Sequence, residues 1–194
     1  MKIVGIVLFF LPIGLMAQDK KTGKTGWKTI ATTGFSFGES KASPVFQLSR
    51  GVTYGRFFNG IGIGYDLYEF NSFPLFADWR MSFGTKQLVF VYAMPGYNIP
   101  GKFTKEVSDF RNETEKRMGG FYMDAGIGYR VPVGILSRLS FSAGYARKSF
   151  SHTKIYASPC GMIPCPNQAP QPDKYVYRYN YGLVTTKLSW ELAR

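Results

Sequence analysis

The stretch YVYRYNYGLVTTKLSWEL occupies residues 175–192, close to the carboxyl end of the chain. It is much longer than the five or six residues of a typical globular strand. In its second half bulky apolar residues alternate with polar ones: Leu188, Trp190 and Leu192 against Lys187, Ser189 and Glu191. An alternation of this kind, ending near an aromatic residue, is typical of a strand that closes a membrane β-barrel.

Seven further runs with a period of two precede this segment, which indicates strands rather than helices. They cover residues 27–37, 44–56, 60–70, 73–83, 87–97, 120–131 and 138–150. The fifth run is apolar on both faces, so its orientation stays open. In the second run Arg50 falls on the apolar face, where a bulge or a position near a membrane interface would accommodate it.

The connections between these runs alternate in length. Long connections at about residues 98–119 and 151–174 fall at one end of the predicted strands, and short turns fall at the other end. This segregation is the arrangement of outer-membrane barrels, which have long extracellular loops and short periplasmic turns. The sequence therefore predicts an all-β fold: an eight-stranded antiparallel up-and-down transmembrane β-barrel over residues 27–194.

The amino-terminal residues have the features of an export signal. Residues 1–18 read as a secretory signal peptide, with Lys2 before an apolar run and a cleavage site after Ala17. A transmembrane anchor is the competing interpretation, but Pro12 interrupts a run that is too short to span a bilayer comfortably. Residues 19–26 read as a flexible linker. We expect an exported protein of the outer membrane.

The charge balance is strongly basic, with a formal net charge of +12. Such a balance suits nucleic acid or an anionic membrane surface, and the export signal removes nucleic acid as a partner. The mean hydropathy of −0.11 agrees with a spanning barrel, in which only alternate residues touch lipid. Outer-membrane lipid, lipopolysaccharide and, during insertion, the barrel-assembly machinery are the expected partners of a monomeric protein.

A set of charged residues falls on the polar face of the runs. Because an eight-stranded barrel is just wide enough for side chains to fill, these groups would have to pair inside the lumen. We predict a structural ion-pair network there, in preference to a catalytic or conducting role, formed by Asp66, Asp78, Arg80, Asp124, Arg130 and Arg138.

The last long connection and its flanks carry two further signals. Cys160 and Cys165 are expected to form a disulfide in an exported chain, and a redox pair or a metal site is the alternative. Basic residues outnumber acidic ones there and are candidates for contact with lipopolysaccharide phosphates: Arg147, Lys148, Lys154, Lys174 and Arg178.

His152, the single histidine of the chain, lies next to Ser149 and Ser151. A histidine beside a serine at a barrel rim would suit an enzyme that acts on lipid A or phospholipid. No convergent acidic residue accompanies the pair, so the sequence favours a protein without catalytic activity. No cofactor-binding or metal-binding motif stands out.

Four short motifs, most of them with Gly-aromatic pairs, carry a resemblance to a known group of proteins: Gly96-Tyr97, Gly144-Tyr145, the run at residues 126–130 and the run at residues 73–80. In these the chain resembles the small outer-membrane β-barrel proteins of the Bacteroidota. The resemblance implies a monomeric eight-stranded barrel and implies no particular activity.

The leading hypothesis is thus a non-enzymatic outer-membrane barrel that presents basic loops for surface interaction or membrane integrity. The alternatives are a rim enzyme, a narrow small-solute channel and a soluble periplasmic barrel that binds a ligand inside.

Overall fold

The computed structural model describes residues 25–39, 41–69, 71–101, 113–133, 137–156 and 173–193. These residues form nine β-strands, which are Gly26–Phe37 (β1), Ala42–Tyr54 (β2), Phe57–Asp66 (β3), Ser72–Phe83 (β4), Val89–Pro100 (β5), Glu113–Met118 (β6), Gly120–Pro132 (β7), Ser137–Tyr156 (β8) and Asp173–Ala193 (β9). Within these ranges no helix is long and apolar enough to cross a membrane.

The strands form one closed antiparallel barrel. Each strand pairs with its neighbours in the order β1-β2-β3-β4-β5-β7-β8-β9, and β9 pairs back onto β1, from Lys28 with Ala193 to Phe37 with Val184. β6 and β7 both pair with β8 and share one position in the ring. The predicted eight-stranded antiparallel β-barrel is confirmed.

A bulge separates β6 from β7. Met118 pairs with Ser151 and Tyr122 pairs with Lys148, so four steps along one strand face three steps along β8. The extra residue lies around Gly119, where a Cβ atom would collide with the carbonyl oxygen of Asn98. Glycine is needed at this point because two backbones approach each other closely.

The side chains divide cleanly between the two faces. In β9 the predicted polar set, Lys187, Ser189 and Glu191, is buried inside the barrel, and the apolar set is exposed outside. β5, which the sequence leaves without an orientation, has Phe90, Tyr92 and Met94 inside. The core of the protein is therefore the barrel lumen.

Large apolar side chains also enter the lumen, and glycines on neighbouring strands make room for them. Phe90 and Tyr92 belong to a buried cluster with Phe76, Met94 and Tyr122. A Cβ atom at Gly128 would overlap the ring of Phe90, and one at Gly62 would come within 2.5 Å of the ring of Phe76. The alternating glycines of β3 and β7 thus leave space on the inner wall of the barrel, and the aromatic rings occupy it.

Several strands reach farther than the sequence predicts at one end, whereas β3 ends there at Asp66, before its predicted end at residue 70. β5 continues to Pro100, and β6 forms within the expected loop at 98–119. β8 and β9 continue as a hairpin up to the pair Tyr156 and Asp173, beyond the last β1–β9 pair at Val184. The reason is that β8 and β9 keep pairing with each other after β1 has ended. The predicted signal peptide and the cysteine pair lie outside the described residues.

Candidate functional site: the ion-paired lumen

The lumen holds a stack of charged groups between its two ends. We call the end with the connections β2–β3, β4–β5 and β7–β8 the short-turn end, and the opposite end the long-loop end. Among the described residues five buried cations face four buried carboxylates, and they are Lys28, Arg80, Arg130, Lys148, Lys187, Asp66, Asp78, Asp124 and Glu191. They fall into three tiers along the barrel axis.

The tier at the short-turn end is built around Glu191 of β9. Its carboxylate is paired with Lys28 of β1 and with Arg130 of β7, whose Nε lies 2.9 Å from Oε1. Arg80 of β4 lies 3.5 Å from the same oxygen, and the hydroxyl of Ser140 donates a hydrogen bond to it. Four separate strands thus place polar groups around one carboxylate.

Arg80 connects this carboxylate to a second one. Its Nε and Nη2 each donate a hydrogen bond of 2.9 Å to Asp78, one to each carboxylate oxygen. Ser49 of β2 donates a further hydrogen bond of 2.6 Å to Asp78. The two guanidinium groups lie over the Phe90 ring, with the Arg130 group at 4.2 Å from its centre. Bidentate pairing with a carboxylate and stacking on an aromatic ring are both favourable contacts of a guanidinium.

The middle tier pairs Lys187 of β9 with Asp124 of β7. The hydroxyl groups of Tyr92 and Tyr122 donate hydrogen bonds to this carboxylate, at 3.0 and 3.3 Å. The Lys187 ammonium also lies 4.8 Å from the centre of the Tyr92 ring. Gln47 extends the tier to β2 by donating a hydrogen bond to the Tyr122 hydroxyl.

The tier at the long-loop end joins Lys148 of β8 to Asp66 of β3. The ammonium lies 2.8 Å from the carboxylate and also donates a hydrogen bond to the backbone carbonyl of Tyr68. The backbone N–H of Tyr68 in turn donates to Asp66. The segment after β3 therefore folds over the lumen and is tied to it by this ion pair.

Two of the tiers cross the lumen from wall to wall. β3 and β8 are four positions apart around the eight-membered ring, and so are β4 and β9. The pair Lys148–Asp66 and the contact Arg80–Glu191 therefore join diametrically opposite strands. Side chains that meet across the centre of a small barrel leave little room for an aqueous path.

The structure brings together five of the six charged residues that the sequence places in the lumen. Asp66, Asp78, Arg80, Asp124 and Arg130 are all buried there. Arg138 is exposed instead, because it lies at the start of β8, at the edge of the barrel. Its backbone is in register with that of Glu191.

Sequence reasoning missed four members of the network. Lys28, Lys187 and Glu191 occupy the inward positions of β1 and β9, as the alternation in those strands indicates. The fourth, Lys148, corrects the predicted rim set. It alternates with the outward Arg147, so its ammonium turns into the barrel and is fully buried against Asp66.

The other predicted rim residues remain at the surface as far as the structure describes them. Arg147 and Arg178 are exposed. Lys154 and Lys174 lie in β8 and β9, and their side chains fall outside the described part of the chain.

The strand geometry separates His152 from its neighbouring serines. β8 pairs with β9 without interruption from Ser149 to His152, so Ser149 and Ser151 point to one face and His152 to the other. The Ser149 hydroxyl donates a hydrogen bond of 3.4 Å to the carbonyl of Phe121. Among the described residues, no group of three or more histidine, cysteine or acidic side chains could hold a metal ion.

Comparison with solved structures shows similarity to an outer membrane protein. The chain is similar to the solid-state NMR structure of outer membrane protein AlkL in DMPC lipid bilayers, with a TM-score of 0.44 and 10% sequence identity. The match covers 92% of this chain and 94% of AlkL. No family model and no curated protein matches the chain. The fold assignment accordingly rests on the strand pairing itself.

Proposed function

We propose that this protein is an integral outer-membrane barrel with a closed lumen, which acts through its surface rather than by catalysis or conduction. The observation that carries the proposal is the inverted polarity of the barrel. Nine charged side chains among the described residues are buried in the interior, whereas Ile61, Ile127 and Val184 outside are between 56% and 78% exposed. A soluble barrel would expose charge and bury these residues, because large apolar patches are rare on soluble proteins.

The dimensions of the barrel suit a bilayer. β1 and β4 are each 12 residues long, and a transmembrane strand needs about 9–11 residues. Exposed aromatic residues lie near both ends, with Trp27 and Trp190 toward the short-turn end and Tyr97 and Tyr145 toward the long-loop end. Aromatic side chains in such positions form the interfacial girdles of membrane barrels. We assign the short-turn end to the periplasm.

A closed lumen follows from the charge pairs that cross it. Asp78 and Glu191 are almost completely buried, and each is held by at least two polar groups. Breaking such a pair would leave an unpaired buried charge, which costs about 3–5 kcal/mol, so the network is expected to stay in place.

We expect no single-channel current from the folded protein in a planar lipid bilayer. The test compares reconstituted folded protein with the same protein after heat denaturation in the same detergent. Currents that match the denatured control support a closed lumen. Reproducible steps from the folded protein alone would contradict it and would favour a narrow solute channel.

The proposal of a non-enzymatic role is supported by the opposed directions of His152 and its neighbouring serines. The surface role is assigned to Arg147 and Arg178, which are exposed toward the long-loop end. Guanidinium groups at this end can form charge-assisted contacts with lipopolysaccharide phosphates.

Replacing Arg147 and Arg178 together with glutamine is expected to weaken lipopolysaccharide binding by the folded protein. Arg56→Gln is the matched control, because Arg56 is exposed in the turn between β2 and β3 at the opposite end. Binding is measured by titration in detergent. Unchanged affinity in the double variant would show that these two residues do not bind lipopolysaccharide.

A further inference from the structure

Arg50 is a cation on the outer face of the barrel. It follows the exposed Phe46 and Leu48 at alternate positions of β2, so its side chain points away from the lumen. β2 pairs with β1 and β3 without interruption around Arg50, so no bulge turns it inward. Arg50 therefore faces the medium around the barrel. If the protein spans the outer membrane, as proposed above, this medium is lipid.

The depth of Arg50 places it within reach of one membrane interface. Its Cα pairs with Thr29, three residues into β1 from the short-turn end. Three residues of strand span about 10 Å, and a long arginine side chain can bridge part of this distance to the polar headgroups. The guanidinium lies 5.5 Å from the centre of the Trp27 ring, which is itself 58% exposed near the start of β1. The contact with Trp27 thus holds the charge toward the short-turn end.

An apolar groove begins at Arg50 and crosses the outer face of the neighbouring strands. Arg50 pairs with Ile61, and Ile61 pairs with Ala77, so the three form one row across β2, β3 and β4. Beyond Ala77 the ladder of β4 and β5 is interrupted at Pro95, which has no N–H to donate. The groove has a volume of about 740 Å³ and is open to the medium around the barrel.

We infer that this groove is a binding site for one glycerophospholipid of the periplasmic leaflet. Its phosphate would accept hydrogen bonds from the Arg50 guanidinium, and an acyl chain would lie along the row of Ile61 and Ala77. Charge complementarity selects this occupant, because no carboxylate among the described residues is paired with Arg50. A guanidinium matches a phosphate in shape and forms two parallel hydrogen bonds with it. The inference rests on the proposed membrane location.

Native mass spectrometry of the folded protein in a non-ionic detergent tests the site, with a palmitoyl-oleoyl phosphatidylglycerol as the probe. The wild-type protein is expected to retain one lipid. Arg50→Gln should lower the apparent affinity about tenfold, the loss expected for a charge-assisted contact. Ala77→Phe should lower it as well, because the ring fills the groove while Arg50 stays in place. A diacylglycerol with the same chains should bind weakly.

Arg56→Gln is the control for net charge at the same end of the barrel, and it should retain the lipid as the wild type does. The inference is overturned if Arg50→Gln and Ala77→Phe keep the lipid, or if Arg56→Gln loses it equally. Slower migration after boiling in an SDS gel verifies that each variant is folded. A protein that is folded and inserts into bilayers but shows no selective lipid would refute this site alone. A protein that does not insert would refute the proposed membrane location.

Discussion

At the scale of single residues, the pair Lys148–Asp66 shows how alternation decides the role of a charge. Arg147 and Lys148 are neighbours in a basic stretch, and their side chains leave β8 on opposite faces. One is exposed, and the other is buried and paired at 2.8 Å. Net charge along the sequence gives no information on this difference. Strand alternation does, because Lys148 lies an even number of residues after the inward Ser140 and Arg147 an odd number.

Asp66→Ala should destabilise the folded barrel by about 3–5 kcal/mol, because it leaves the Lys148 ammonium buried without its partner. The free energy of unfolding is measured by urea titration in lipid vesicles. Lys41→Ala is the matched control. Lys41 and Glu69 form a partly exposed ion pair, 3.6 Å apart, toward the same end of the barrel. Its loss should cost less than about 1 kcal/mol.

A second variant separates charge from packing at the same place. Replacing both partners, as Asp66→Leu with Lys148→Met, should recover most of the lost stability, because no unpaired charge remains. Equal costs for Asp66→Ala and Lys41→Ala would contradict the assignment of Lys148 and Asp66 to a buried pair.

At the scale of elements, β9 is the strand that the sequence describes best. The alternation from Leu188 to Leu192 predicts both of its faces, and the structure confirms them. β5 is the opposite case, because Phe90, Tyr92 and Met94 are as apolar as the residues that alternate with them. Its orientation depends on glycines in neighbouring strands that admit its rings, and no pattern within β5 itself carries this information.

The positions at which the strands end are not predicted from the sequence, for a related reason. Arg138 has the correct alternation for the lumen but lies where the barrel stops, so it meets solvent. β8 and β9 extend past their predicted ends because the two strands pair with each other rather than because of their own composition. Tertiary pairing, which a single sequence does not display, fixes these limits.

The outer face of β9 provides a depth test of the membrane assignment. Leu188→Arg should destabilise the barrel in lipid by about 2–4 kcal/mol, because Leu188 pairs with Thr33 and Phe141 near mid-height. Leu192→Arg, on the same face near the short-turn end, should cost only about 0–1 kcal/mol. The unfolding free energies of the two variants in vesicles provide the comparison. Equal costs would show that depth has no influence and would contradict the proposed placement in the bilayer.

At the scale of the whole molecule, the polarity of the barrel connects its sequence to its proposed place in the cell. Charges that would be solvated on a soluble protein pair with each other inside, across strands as far apart as β3 and β8. Apolar residues that would form a core face outward. Alternation along single strands predicts that two such faces exist, but the partners within the lumen depend on which strands oppose each other across the ring.

The three tryptophans report directly on which face meets lipid. Trp27, Trp79 and Trp190 all occupy outward positions of their strands, and Trp27 and Trp190 are more than half exposed. The decisive measurement is the tryptophan emission of the wild-type protein, reconstituted in vesicles whose acyl chains carry bromine and compared with unbrominated vesicles. Because bromine quenches indole rings in contact with it, strong quenching is expected. Emission that is the same in both kinds of vesicle would mean that the apolar face does not meet lipid, and it would contradict the membrane barrel.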